Sequence, residues 1–307
     1  MNELWIAGLA GFAASLVDGA LGMGFGPTSS SLLLASGMSP ITTSASVNLA
    51  KIATGLAGAV SHWRFGNLDR RLVLQLAIPG ASGAVVGALV LSFVDEDGLR
   101  PILASMLVLI GLRIMVRFSR ALPVASSADP KADCANDTPN SRGVRLAGLT
   151  GGVTNGLVGA WGPVVTPVML ERGIVPRIAV GSVNTAEVAV AVVSVGSIIG
   201  SVGGDGFELG VVAAMVAGGV IAAPLGAYAV RFFPARLLGL GVAAVLLVTQ
   251  VRELDRVIDH PRFGLVAYVA AIVGIALAGL RPRLTRTAQR GSQASLSSTS
   301  ERTSGGR

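Results

Sequence analysis

The stretch SVNLAK, Ser46 to Lys51, lies inside an apolar run long enough to cross a lipid bilayer, and it returns as SVNTAE, Ser182 to Glu187. A cation ends one copy and an anion stands at the same place in the other. Subtracting 46 from 182 gives an offset of 136, which also aligns Gly26-Pro27 with Gly162-Pro163, Gly37 with Gly173, and Pro40 with Pro176. No gap is needed from Leu21 to Ala53. After a loop difference of three residues, Gly87-Ala88 matches Gly226-Ala227. The chain therefore reads as two copies of one unit.

Composition sets the solvent in which those copies fold. Of 307 residues, 51% are hydrophobic, 13% are charged and 41 are glycine, and the mean hydropathy is +0.68. That balance is too apolar for a water-soluble domain. Apolar segments fall at 4–22, 26–37, 41–61, 72–94, 99–118, 146–160, 162–171, 177–201, 209–230, 236–251 and 263–280. Several approach the roughly 20 residues a helix needs to cross about 30 Å of hydrocarbon, and none alternates as a barrel strand does. The expectation is an all-α integral membrane protein of eight or nine hydrophobic spans. Duplication in such a bundle is a transporter signature, although structural bundles are also duplicated.

The formal charge of +7 comes from arginines at the ends of apolar segments and in the tail. That placement fits topology signals and argues against a nucleic-acid partner. The single cysteine, Cys134, lies in a polar loop and cannot form an internal disulfide. The first segment lacks a basic leader and contains Asp18, so it is predicted to be retained.

Residues 1–118 form a first transmembrane repeat and 144–251 a second. Between them, 119–143 reads as a cytoplasmic linker, rich in Pro, Ser, Asp and Asn. Residues 252–280 add a transmembrane helix, and 281–307 form a basic, serine-rich tail without periodicity, predicted to be disordered and cytoplasmic. Loop HWRFGNLDRR (62–71) is basic, while its counterpart GSVGGDGFE (200–208) carries only acidic charge. The positive-inside rule puts the first in the cytoplasm and the second outside, with an external N-terminus and a cytoplasmic C-terminus. The copies are then inverted, and each crosses an odd number of times. The run 27–36 rises only about 15 Å as a helix, half a bilayer. The inferred unit is thus a re-entrant hairpin followed by three crossings, with the tips GALGMGFGP and NGLVGAWGP lining an internal site. A plain eight- or nine-span bundle is the alternative.

Lys51 and Glu187 sit at the centres of their segments. An ionised side chain there costs about 2.5–3.5 kcal/mol on insertion scales, so each should face inward and have a partner. Inverted repeats make each the simplest partner of the other. That pair is either a structural salt bridge or part of a substrate site in which Lys51 attracts an anion and Glu187 positions it or takes a proton. Asn48 and Asn184 lie one turn back, with amides that donate to oxyanions. At the tips, Gly24, Gly26 and Gly162 precede half-helices whose N-terminal N–H groups suit anions, with Thr28, Ser29 and Thr166 adding hydroxyls. Asp18 is a possible proton site or an interfacial residue. Gly83 and Gly87 read as close helix contacts.

No zinc-protease, triad or Walker motif is present, so no enzymatic role, cofactor or metal is predicted. The stretches GALGMGFGP, SVNLAKIATGLAGAVSHWRFGNLD and IPGASGAVVGA, with their degenerate second copies, resemble the sulfite exporter TauE/SafE family of membrane transporters over nearly all of residues 4–251. The resemblance implies movement of small sulfur oxyanions or organosulfonates across a bacterial inner membrane. The expected function is export of an anion such as sulfite or sulfoacetate. Import of thiosulfate or another anion, and a passive anion channel, are the alternatives. Partners beyond the small anion and the bilayer are not implied, and the oligomeric state is open.

Overall fold

The computed structural model describes residues 2–21, 23–119, 141–203, 207–229, 235–258 and 274. The body of the linker with Cys134, the tail, and the extra helix expected at 263–280 (apart from Gly274) lie outside the described residues.

Among the described residues every element is a helix. They run α1 (Asn2–Leu21), α2 (Phe25–Ala35), α3 (Pro40–Arg64), α4 (Arg70–Phe93), α5 (Glu96–Ser119), α6 (Ser141–Val158), α7 (Gly162–Glu171), α8 (Pro176–Val202), α9 (Leu209–Ala229) and α10 (Ala235–Ile258). Each half has the order long, short, long, long, long. The short members, α2 with 11 residues and α7 with 10, cannot span a bilayer at 1.5 Å per residue.

Those short helices end for the same local reason. Gly37 (φ 97°) and Gly173 (φ 78°) adopt the left-handed backbone that side chains disfavour. Met38 N donates to Leu33 O at 3.2 Å, and Ile174 N donates to Met169 O at 3.2 Å. Both members of each pair are offset by 136, so the sequence repeat extends to individual backbone hydrogen bonds.

The halves interlock. Helix α1 lies along α9, α6 lies along α4, α3 crosses α8, and α5 packs on α10. In the α4–α6 seam a methyl group at Gly83 would strike the Leu149 carbonyl, and one at Gly156 would meet the Ala84 carbonyl at 2.6 Å. Small residues let these backbones touch, as read for Gly83 and Gly87.

By length and composition α4, α5 and Arg177–Val202 of α8 suffice to cross a membrane, and shorter apolar stretches occur at Leu4–Leu16, Leu209–Ala222 and Gly239–Val251. Helix α3 carries Thr43, Ser44, Ser46, Asn48 and Lys51, all buried. Meanwhile Leu9, Leu74, Ile78, Leu109 and Leu146 are exposed. An apolar exterior around a polar interior is the arrangement a hydrocarbon solvent demands.

Candidate functional site

Each hairpin breaks where its glycines lie. The α2 tip and the α6–α7 tip then meet face to face: a methyl group at Gly26 would collide with the Gly159 carbonyl, and one at Gly162 would come within 3.0 Å of the Met23 Cα. Gly159 is also left-handed, at φ 65°. Beside the tips α3 and α8 approach so closely that a methyl at Gly55 would lie 2.9 Å from a Val188 methyl.

The four pieces enclose a cavity of about 110 Å³. Asp18, Met23, Phe25 and Gly26 line it from the first hairpin, and Gly159 and Gly162 from the second. Helix α3 contributes Lys51, Thr54, Gly55 and Gly58, while α8 contributes Asn184, Glu187 and Val188. Among the described residues, the charged groups on its wall are one ammonium, Lys51, and two carboxylates, Asp18 and Glu187.

Lys51 joins three elements. Its Nζ forms an ion pair with Glu187 and donates to Asn155 Oδ1 at 2.9 Å and to Gly159 O at 2.7 Å. Asn155 Nδ2 donates in turn to Asn48 Oδ1 at 2.7 Å and to Ser194 Oγ at 3.1 Å. Asn48 Nδ2 completes the network on Asn155 O at 3.1 Å and Ser44 O at 3.0 Å. A buried cation is tolerated because every donor it directs inward finds an acceptor.

Asp18 occupies the place where an anion was expected. Its Oδ1 accepts from Gly24 N at 2.8 Å and from Phe25 N at 3.2 Å, capping the N-terminus of α2. The protein thus supplies its own negative charge to that helix end.

The profile of the sulfite exporter TauE/SafE family matches residues 7–252. The chain belongs to this family. It is also similar to the probable membrane transporter protein YtnM of Bacillus subtilis strain 168, with 38% identity over 256 residues, 83% of each chain. A second protein of that organism, the probable membrane transporter protein YdhB, is 38% identical over 79 residues, 25% of this chain and 32% of that one. No solved structure matches the chain. The family resemblance read from the glycine-rich tip and the Lys51 segment is borne out, and the chain is a membrane transporter by family.

Of the residues singled out in this TauE/SafE sequence, Lys51, Glu187, Asn184, Asp18, Gly26 and Gly162 line the cavity. Asn184 has no hydrogen-bond partner among the described residues, which leaves its amide available. Gly24, Asn48, Thr28, Ser29 and Thr166 are not on the cavity wall. Gly24 and Asn48 instead serve as partners of Asp18 and Asn155. The Ser29 hydroxyl is turned back onto the Phe25 carbonyl of its own helix. Thr28 and Thr166 are buried, with hydroxyls lacking a partner among the described residues.

Thr54, Gly55 and Gly58 were not anticipated. They follow Lys51 at spacings of three, four and seven, which is one helix face, so periodicity alone could have found them. Asn155 opens the second tip, NGLVGAWGP, yet its bond to Lys51, 104 residues away, has no local signal. Ser182, the first residue of SVNTAE, accepts from Asp69 N at 3.0 Å and so ties the basic loop to α8.

Proposed function

We propose that the chain is a secondary transporter that exports small sulfur-containing anions, such as sulfite, sulfoacetate or related organosulfonates, across the inner membrane. The observation that carries this reading is a cavity on which both tips and the equivalent helices α3 and α8 converge, with the Lys51 ammonium and the unengaged Asn184 amide on its wall. An ammonium and an amide are the donors a compact oxyanion needs. Gly26 and Gly162 let the two tips close against each other beside the cavity. Asn48, Thr28, Ser29, Gly24 and Thr166 support the site from behind.

In this reading the two repeats are inserted with opposite orientation, the N-terminus is external and the C-terminus cytoplasmic. The tips enter as re-entrant hairpins. Rocking one half against the other exposes the cavity to each side in turn. Any net negative charge carried out of a negative interior gains about 2.3 kcal/mol per charge per 100 mV, and the anion's own concentration gradient supplies the rest, so no nucleotide hydrolysis is needed.

The test is flux from proteoliposomes loaded with sulfite, thiosulfate, sulfoacetate or ethanesulfonate, with and without an imposed potential. Saturable efflux of at least one of them supports the proposal. No flux above protein-free vesicles sinks it, currents of channel size point to a passive pore, and inward-only movement points to an importer.

A further inference from the structure

Among the described residues the cavity wall holds more negative than positive charge, which disfavours an anion. Two carboxylates, Asp18 and Glu187, face one ammonium, Lys51. Their circumstances differ. Asp18 is spoken for by two backbone N–H groups at the start of α2, so its charge is balanced by the helix end. Glu187 has Lys51 as its partner. The other helices packed on α8, namely α4, α6 and α7, place no titratable side chain on the wall.

An anion that takes Lys51 must therefore take it from Glu187. If the displaced carboxylate stayed ionised, the site would hold an unpaired negative charge beside the new one, inside the bundle where water screens it weakly. Resting on the transport reading above, we propose that Glu187 takes up one proton for each anion bound, so that anion and proton cross together. The empty site is then Lys51 ammonium with Glu187 carboxylate, and the site loaded with a monoanion is Lys51 ammonium, anion and Glu187 carboxylic acid. Both have the same net charge, so neither form pays a larger charging penalty as the halves rock. The proton comes from water on the side to which the cavity is open and returns to water on the other side. No bond of the anion is made or broken.

The charge count gives the experiment. Ethanesulfonate and thiosulfate stay unprotonated across the neutral range, so protons that move with them are carried by the protein. In proteoliposomes containing a trapped pH dye, each ethanesulfonate leaving is expected to carry one proton with it and to ignore an imposed potential. Thiosulfate, a dianion, is expected to carry one proton and to respond to the potential as a single charge. Glu187→Gln removes the partner from the empty site but not from the loaded one. That variant should keep anion-for-anion exchange while net efflux falls by about a hundredfold, the effect of returning an unpaired Lys51 through the membrane. If sulfite alone is transported, this split between exchange and net efflux is measured with sulfite.

Anion efflux without proton movement, or net efflux in Glu187→Gln equal to that of the unaltered protein, overturns the proposal and leaves the transport reading intact. Absence of flux for every anion in the unaltered protein overturns both.

Discussion

Gly26 of the first tip abuts the Gly159 carbonyl of the second so closely that not even a methyl group fits between them, and Lys51 Nζ donates to that same carbonyl at 2.7 Å. The contact joins residues from opposite halves of the chain at the cavity wall. Gly26→Ala should push the tips apart and cost about 1–3 kcal/mol of stability, the usual range for forced overpacking. A lowered melting temperature in detergent with lost anion flux is the expected outcome; an unaltered protein would mean that the tips are free to separate.

Lys51→Ala removes the cation and leaves Glu187 half-buried on the wall it shares with Asp18. Anion flux should fall to the background of empty vesicles while the protein still inserts in the membrane. Truncating one member of a buried pair commonly costs about 3–5 kcal/mol, so thermal unfolding should also shift downward. Flux at the unaltered rate would remove Lys51 from the mechanism.

Replacing both members, Lys51→Met with Glu187→Leu, separates structure from transport. A buried pair exchanged for apolar residues of similar volume is often neutral for stability. The double variant should thus melt close to the unaltered protein, above Lys51→Ala, yet transport nothing. Retained flux would make the pair purely architectural.

Asn155 tests the scaffold behind the site. It holds Lys51 at 2.9 Å, Asn48 at 2.7 Å and Ser194 at 3.1 Å. Asn155→Ala leaves those buried groups short of a partner, at about 1–3 kcal/mol. Weaker anion binding, read as a raised half-saturation concentration, should accompany the loss, because the ammonium is no longer aimed.

Cysteine accessibility tests the orientation of the halves. The chain has one cysteine, Cys134, so Cys134→Ser provides the background. Phe65→Cys, on the loop after α3, and Glu208→Cys, at the equivalent turn after α8, are both at exposed positions. Impermeant reagents should label them from opposite faces of the membrane, and labelling from one face would rule out the inverted arrangement.

By itself the sequence determined the solvent, the helices and the repeat. Hydropathy runs, the half-length segments after Gly26 and Gly162, and the offset of 136 are properties of neighbouring residues, and local backbone preference realises them wherever the helix ends up. The meeting of Lys51 with Glu187 could be argued from the repeat, since equivalent positions approach a common axis. What only the tertiary structure decided is which polar groups reach the cavity and which are spent elsewhere. Asp18 caps α2, Ser29 turns onto its own helix, Asn155 binds Lys51, and Asn184 is left with its amide unengaged. A helical side chain's direction depends on the rotation of its helix against partners a hundred residues away, and that rotation is fixed by packing, which no local pattern records.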